Sequence, residues 1–207
     1  MKKLILLVAM FLGLYAAPAH AACSINTVPQ IGVVCDFARN PTDSATATGL
    51  VPAASATDLF CISGSATKTI AIREISIAGV AGTAVSTPFL IYQRSALDTG
   101  GTAATGLALP VPVPYNATDP AATAVLTAYT ANPTVASSPL LMDASMVSLP
   151  VSTGSAASTR TLYGTSVDNF NKGLDIPKNT TLQYCVNLNG VSVSSGVVTI
   201  HMEWTEN

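Results

Sequence analysis

Apolar and polar side chains alternate with a period of two at the C-terminal end of the chain, the mark of a half-buried strand. Val198, Ile200, Met202 and Trp204 fall on one face, and Thr199, His201 and Glu203 on the other. Just upstream, Leu182, Tyr184, Val186 and Leu188 alternate in the same way and run into Asn189-Gly190, a strong turn dipeptide. Between Thr69 and Ala78 the phase slips: Ile70 and Ile72 share one parity, Ile75 and Ile77 the other. A one-residue bulge at Arg73-Glu74 would keep both pairs on the core face. Phe89-Leu-Ile-Tyr92 reads as a short buried strand, and Leu140–Val151 and Thr159–Val167 as two more. Short strands, many turns and no long amphipathic helical stripe predict an all-β fold, an antiparallel β-sandwich or jelly roll spanning 57–207.

Two stretches fit that scheme less well. Residues 22–56 read as an irregular N-terminal arm, interrupted by Pro29, Pro41 and Pro52 and rich in small residues from Thr42 to Ala56. Between Ser95 and Pro139, the run Leu109-Pro-Val-Pro-Val-Pro114 is extended but unsuited to a central strand, because proline has no N–H to donate. Asp119-Pro120 has the form of a cap for a short helix through Leu126, while Val125, Thr127 and Tyr129 alternate as a strand would. Both readings stay open.

The first residues form an address. Lys2 and Lys3 precede an apolar run from Leu4 to Leu14, and Ala19-His20-Ala21 supplies small residues for cleavage, so 1–21 is expected to be a signal peptide. Losing Lys2 and Lys3 moves the formal net charge from −2 to −4. That balance offers no basic surface for nucleic acid. The run is too short for a membrane span, which needs about 20 residues. Export makes the four cysteines a disulfide framework. Cys61 and Cys185 each lie opposite the apolar parity of their strands, which favours a cross-strand Cys61–Cys185 bridge and leaves Cys23–Cys35 to close a short loop. Zinc is the weaker reading, since there is no C-x-x-C pair.

Composition narrows the chemistry. His201 is the one histidine left after cleavage, it alternates with Thr199 and Glu203 on a polar face, and no G-x-S-x-G elbow accompanies it. Asp168 and Asp175 are scattered carboxylates, and Asn169-Phe-Asn-Lys-Gly-Leu-Asp175 only loosely echoes a calcium loop, with Lys172 at its centre. No catalytic residue, cofactor or metal is expected, and the chain is not expected to be an enzyme. A glycan- or receptor-binding module would need a compact aromatic patch, for which Tyr115 and Tyr129 are the candidates. The alternative is a structural or adhesive module whose partners are other protein subunits or itself.

Several strings carry a resemblance. They are Leu59-Phe-Cys-Ile-Ser-Gly-Ser-Ala-Thr-Lys-Thr69, Gln93-Arg-Ser95 with Thr99-Gly-Gly-Thr102, Asp119-Pro-Ala-Ala-Thr-Ala124, Ala128-Tyr-Thr-Ala-Asn-Pro-Thr134, and Val186-Asn-Leu-Asn-Gly190 with Glu203-Trp-Thr-Glu206. Over residues 57–206 the chain resembles an uncharacterised group of small β-rich proteins met in tailed-phage, prophage and metagenomic sequences. That resemblance implies a virion-associated or surface structural role and no catalytic residues. More weakly, Ala22-Cys23, Cys61-Ile-Ser-Gly64 and Val197–Trp204 are similar to secreted pilin-like and spore-coat-U-like subunits. Intact mass of exported protein is expected to show loss of residues 1–21 and of four hydrogens, one pair for each bridge between the four cysteines. Alkylation of two or more cysteines without reductant would overturn the two-bridge expectation.

Overall fold

Strands with one apolar face need a second such face to cover them, and this chain supplies it by stacking two antiparallel sheets. The computed structural model describes residues 23–25, 33–35, 42–51, 58–131, 133–135, 140–153, 157, 159–164, 174–188, 193 and 195–207. The strands are β1 (Cys23–Ile25), β2 (Val33–Cys35), β3 (Thr42–Leu50), β4 (Asp58–Ser63), β5 (Ile70–Val80), β6 (Val85–Arg94), β7 (Thr102–Ala103) and β8 (Val113–Pro114). They continue with β9 (Val125–Ala131), β10 (Leu140–Leu149), β11 (Arg160–Tyr163), β12 (Leu174–Ile176), β13 (Gln183–Asn187) and β14 (Val197–Glu206).

One sheet has the order β10-β6-β13-β4-β9-β7, and the other β11-β5-β14-β3-β8, with β12 also on β5. From β3 to β6 successive strands switch sheets, and from β10 to β14 they switch back again. The pairs are nested: β3 with β14, β4 with β13, β5 with β11 and β12, and β6 with β10. This is a long hairpin rolled up on itself, a jelly roll. The connection between β6 and β10 starts and ends in the first sheet, and it carries the insertion that supplies β7 and β9 there and crosses to the second sheet at β8. Val198, Ile200, Met202 and Trp204 of β14 are fully buried and meet Phe60, Ile62, Phe89, Ile91 and Val186 of the facing sheet.

The slip at Arg73-Glu74 is a bulge. Glu203 pairs with Glu74 but Trp204 pairs with Ile72, so Arg73 has no opposite number and all four isoleucines reach the core. The bulge also divides the outer edge of β5, with β11 covering Ile75–Ile77 and β12 covering Ile70–Ile72. Gly164, just past β11, has φ +109° and lies so close to the bulge that a Cβ would sit 2.9 Å from Glu74 Cα. Only glycine fits there.

Three readings are revised or decided. The irregular arm over 22–56 ends early: Thr42–Leu50 is β3, paired to β14, and residues 40–207 form one compact unit. Its inward residues Asp43, Ala45 and Ala47 are mostly too small to register as a hydrophobic pattern. Of the two readings left open for the segment before Leu126, the strand holds: residues 121–124 are not helical and lead into β9, with Thr123 and Ala124 giving their N–H groups to Glu206. The end of the Asn169–Asp175 stretch, read as a loose echo of a calcium loop, belongs to β12; Asp168 through Gly173, and the Asn189-Gly190 turn, lie outside the described residues. In the separate unit 1–39, the backbone register of β1 and β2 sets Cys23 opposite Cys35, as the expected bridge requires, although the side chains lie outside the described residues.

Cys61 and Cys185 are directly opposite in the β4–β13 register and are joined as a disulfide on the face away from the core. Linking residues 124 apart is worth about 5 kcal/mol in the chain-entropy account. The Cys61→Ala/Cys185→Ala double variant is expected to lose about 4–5 kcal/mol in urea unfolding. A loss below about 1 kcal/mol would show that the bridge constrains little in the denatured chain.

Candidate functional site

Polar chemistry gathers in three places on the 40–207 unit, each set by strand parity. At one end of the sandwich, Glu206 shares the parity of Trp204 and so points inward, only 3% exposed. Its carboxylate accepts from the N–H groups of Thr123 and Ala124 at 2.8 Å each, from Thr123 Oγ1 at 2.7 Å and from Trp204 Nε1 at 3.2 Å. Lys68 Nζ stands 3.4 Å away. Burial alone would raise this carboxyl's pKa, but the Thr123, Ala124 and Trp204 donors together outweigh burial and hold it below its ordinary value. Asp43, on the same inner parity of β3, is the contrast. Its Oδ1 is buried without a partner, and burial first, then Glu206 and Asp119 against Lys68, push its pKa up.

On the outer face of the first sheet lies a second cluster. Leu59 has no opposite number in the β4–β13 register, so Leu59 and Phe60 both reach the core and Asp58 falls on the face of Cys61. Arg94 grips Asp58 bidentately, at 2.9 Å from Nε and 2.8 Å from Nη2, and Asn187 Nδ2 donates at 2.6 Å. The guanidinium also lies 4.7 Å above the Tyr92 ring. Tyr129 packs on the disulfide and is 9% exposed; burial, then Asp98 and Asp58, push its hydroxyl up to about 12. Asp98 Oδ2 is 3.7 Å from Cys61 Sγ, a packing contact, since an oxidised sulfur has no proton to give. Asp58, Cys61, Asp98 and Cys185 bring potential ligand atoms within 4.8 Å of one another. The sulfurs are bonded to each other and Asp58 is held by Arg94 and Asn187, so the set does not fit a metal.

The third cluster is on the outer face of the second sheet. Thr46 Oγ1 and His201 Nδ1 are 2.9 Å apart, His201 Nε2 and Glu203 Oε1 3.2 Å, and Tyr115 OH donates to the same Glu203 oxygen. His201 is therefore not simply solvated but sits in a hydrogen-bonded row. The row lies on a strand surface.

Tyr115 and Tyr129 are not brought together. Tyr115 sits on the outer face of the second sheet, bonded to Glu203 of β14, and Tyr129 on the outer face of the first, against the disulfide. Asp175 is exposed on β12, opposite Ala71 of β5. Glu206 and the Asp58–Arg94–Asn187 group escaped sequence reading, although the parity of Glu206 with Trp204 already pointed it inward.

Exposed large apolar side chains concentrate on two stretches. On β10 they are Leu140 (57%), Leu141 (51%), Met142 (38%) and Met146 (58%). On 109–115 they are Leu109, Val111, Val113 and Tyr115, beside the edge strand β8. Among the described residues no helix is long and apolar enough to cross a membrane. Comparison with protein-family models, with curated proteins and with solved structures finds no match to this chain.

Glu206 gives a pH dependence with a defined sign. Its folded-state pKa lies below the ordinary 4.5, so its contribution is full above that value and is lost as pH falls through the folded one. Asp43 acts oppositely, costing stability while ionised. Glu206→Gln is expected to destabilise by about 2–3 kcal/mol at neutral pH and to flatten the acid limb of the stability profile. Urea titrations between pH 7 and 3 read both; an unchanged acid limb would remove Glu206 as its source.

Proposed function

We propose that the chain is a non-catalytic structural or adhesive module of an exported particle, appendage or envelope, working through protein–protein surfaces. The observation that carries this reading is the placement of exposed apolar side chains along two sheet edges, β10 and the 109–115 segment beside β8. Isolated surface leucines need no explanation, whereas rows of them along an edge mark a surface that another chain covers. The polar groups support it from the other side. Glu206 and Asp58 spend their hydrogen-bonding capacity inside the fold, where they hold segments together. A buried disulfide suits an oxidising compartment and fits the signal-peptide expectation. The low content of lysine and glutamate reduces the side-chain entropy lost when such a surface is covered.

Electron microscopy of sheared surface material, with antibody labelling of the protein, tests the reading. The label is expected on particles, filaments or envelope fragments. Protein found only free in the soluble fraction would overturn it.

A further inference from the structure

We infer that β10 is the contact between two copies of this chain, its two strands pairing antiparallel about a two-fold axis so that the first sheets join edge to edge. The inference rests on the structural reading above and names its partner.

Among the described residues, the other sheet edges are blunted. β7 and β8 are two residues long, and β8 follows Pro110 and Pro112 and ends in Pro114. β11 and β12 have four and three residues and are split by the β5 bulge. β10 has ten residues, with no proline, lysine or arginine. Those are the devices that usually keep an edge from pairing. Its one register shift, between Leu141 and Asp143, leaves Asp143–Leu149 in continuous register with β6.

Two independent observations show which backbone groups of β10 face outward. Met146 stands opposite Pro88 of β6, which has no N–H, so the two cannot exchange the paired hydrogen bonds of a bonded position. The N–H and C=O of Met146 therefore turn away from β6. The N–H of Ala144, two residues earlier, is held by Asp143 Oδ1 at 2.7 Å and not by β6, so it likewise turns away from that strand. By alternation, Ser148 does the same. Ala144, Met146 and Ser148 also expose their side chains, with Met146 at 58%. Backbone groups of Met146 and Ser148 and an apolar side chain are thus presented together, while the Ala144 N–H must leave Asp143 Oδ1 to join a second strand.

An antiparallel strand is its own complement under a two-fold axis. With the axis at Met146, each Met146 meets its counterpart, and Ala144 meets Ser148 of the second copy. Asp143, the one charge on β10, falls opposite Leu149, so no like charges confront each other. In an acidic chain, this near-uncharged strand is the edge on which two copies meet with least repulsion.

The test is light scattering after size exclusion of the full exported chain in the high-micromolar range. The wild type is expected at twice the monomer mass, and Met146→Ile should keep it there. Met146→Lys and Met146→Glu, each placing like charges on the axis, should halve it, and mixing the two variants in equal amounts should restore the dimer. The mixture separates a broken interface from a broken fold. A strictly monomeric wild type, or a Met146→Lys variant that stays dimeric, would overturn the inference. If the monomer is nonetheless found on surface material, self-pairing fails and the structural reading stands. A different protein recovered on that material and lost with Met146→Lys assigns the edge to a foreign strand, and this too overturns self-pairing.

Discussion

Burial of β14 between β3 and β5 is the constraint from which the rest of the molecule follows. Its inward row runs from Val198 through Trp204, each residue fully buried, and the same strand forms ladders on both sides. Because the inward parity continues to Glu206, the strand ends with a carboxylate beneath its own tryptophan. That charge is tolerable only if donors come to it, and the 123–124 segment and Lys68 supply them. The path of the insertion across the sandwich end is thus dictated by a residue at the far terminus of the fold. A buried charge stripped of such partners would cost several kcal/mol.

Asp43 shows how narrow that solution is. It occupies an equivalent inward position on the neighbouring strand, near the same lysine, but one of its oxygens is buried without a partner. Two carboxylates at one end of the core are shifted in opposite directions, and the difference is the number of N–H and O–H groups that reach each one. Hydrogen bonding, not depth, decides the direction in which each acid is shifted.

Parity was the most legible signal in the chain. It placed the core rows of β13 and β14, the bulge at Arg73 and the outward disulfide, because a period of two converts directly into faces. It failed where burial depends on neighbours instead of side-chain size. The strand β3 buries two alanines and an aspartate, and nothing in Thr-Asp-Ser-Ala-Thr-Ala-Thr distinguishes a covered strand from a polar loop. The 121–124 segment stays ambiguous in the sequence, since Asp-Pro suits a helix start and the alternation after it a strand, and a distant carboxylate claims its N–H groups. The Arg94–Asp58–Asn187 group joins three strands, and its members are ordinary polar residues until the register sets them side by side. Tyr115 and Tyr129 looked like one patch because they are close in sequence, but the insertion crosses from one sheet to the other between them.

The nested strand order also sets a timetable. The first strand of the body waits for the last, since the β3–β14 ladder joins Thr46 to His201 across 155 residues. No large part of the core closes until the C-terminal strand is available. High contact order of this kind slows folding to milliseconds or seconds. During synthesis the emerging chain therefore holds no stable half-built body. Locking follows once the whole length is available, when the two strands that hold Cys61 and Cys185 have met.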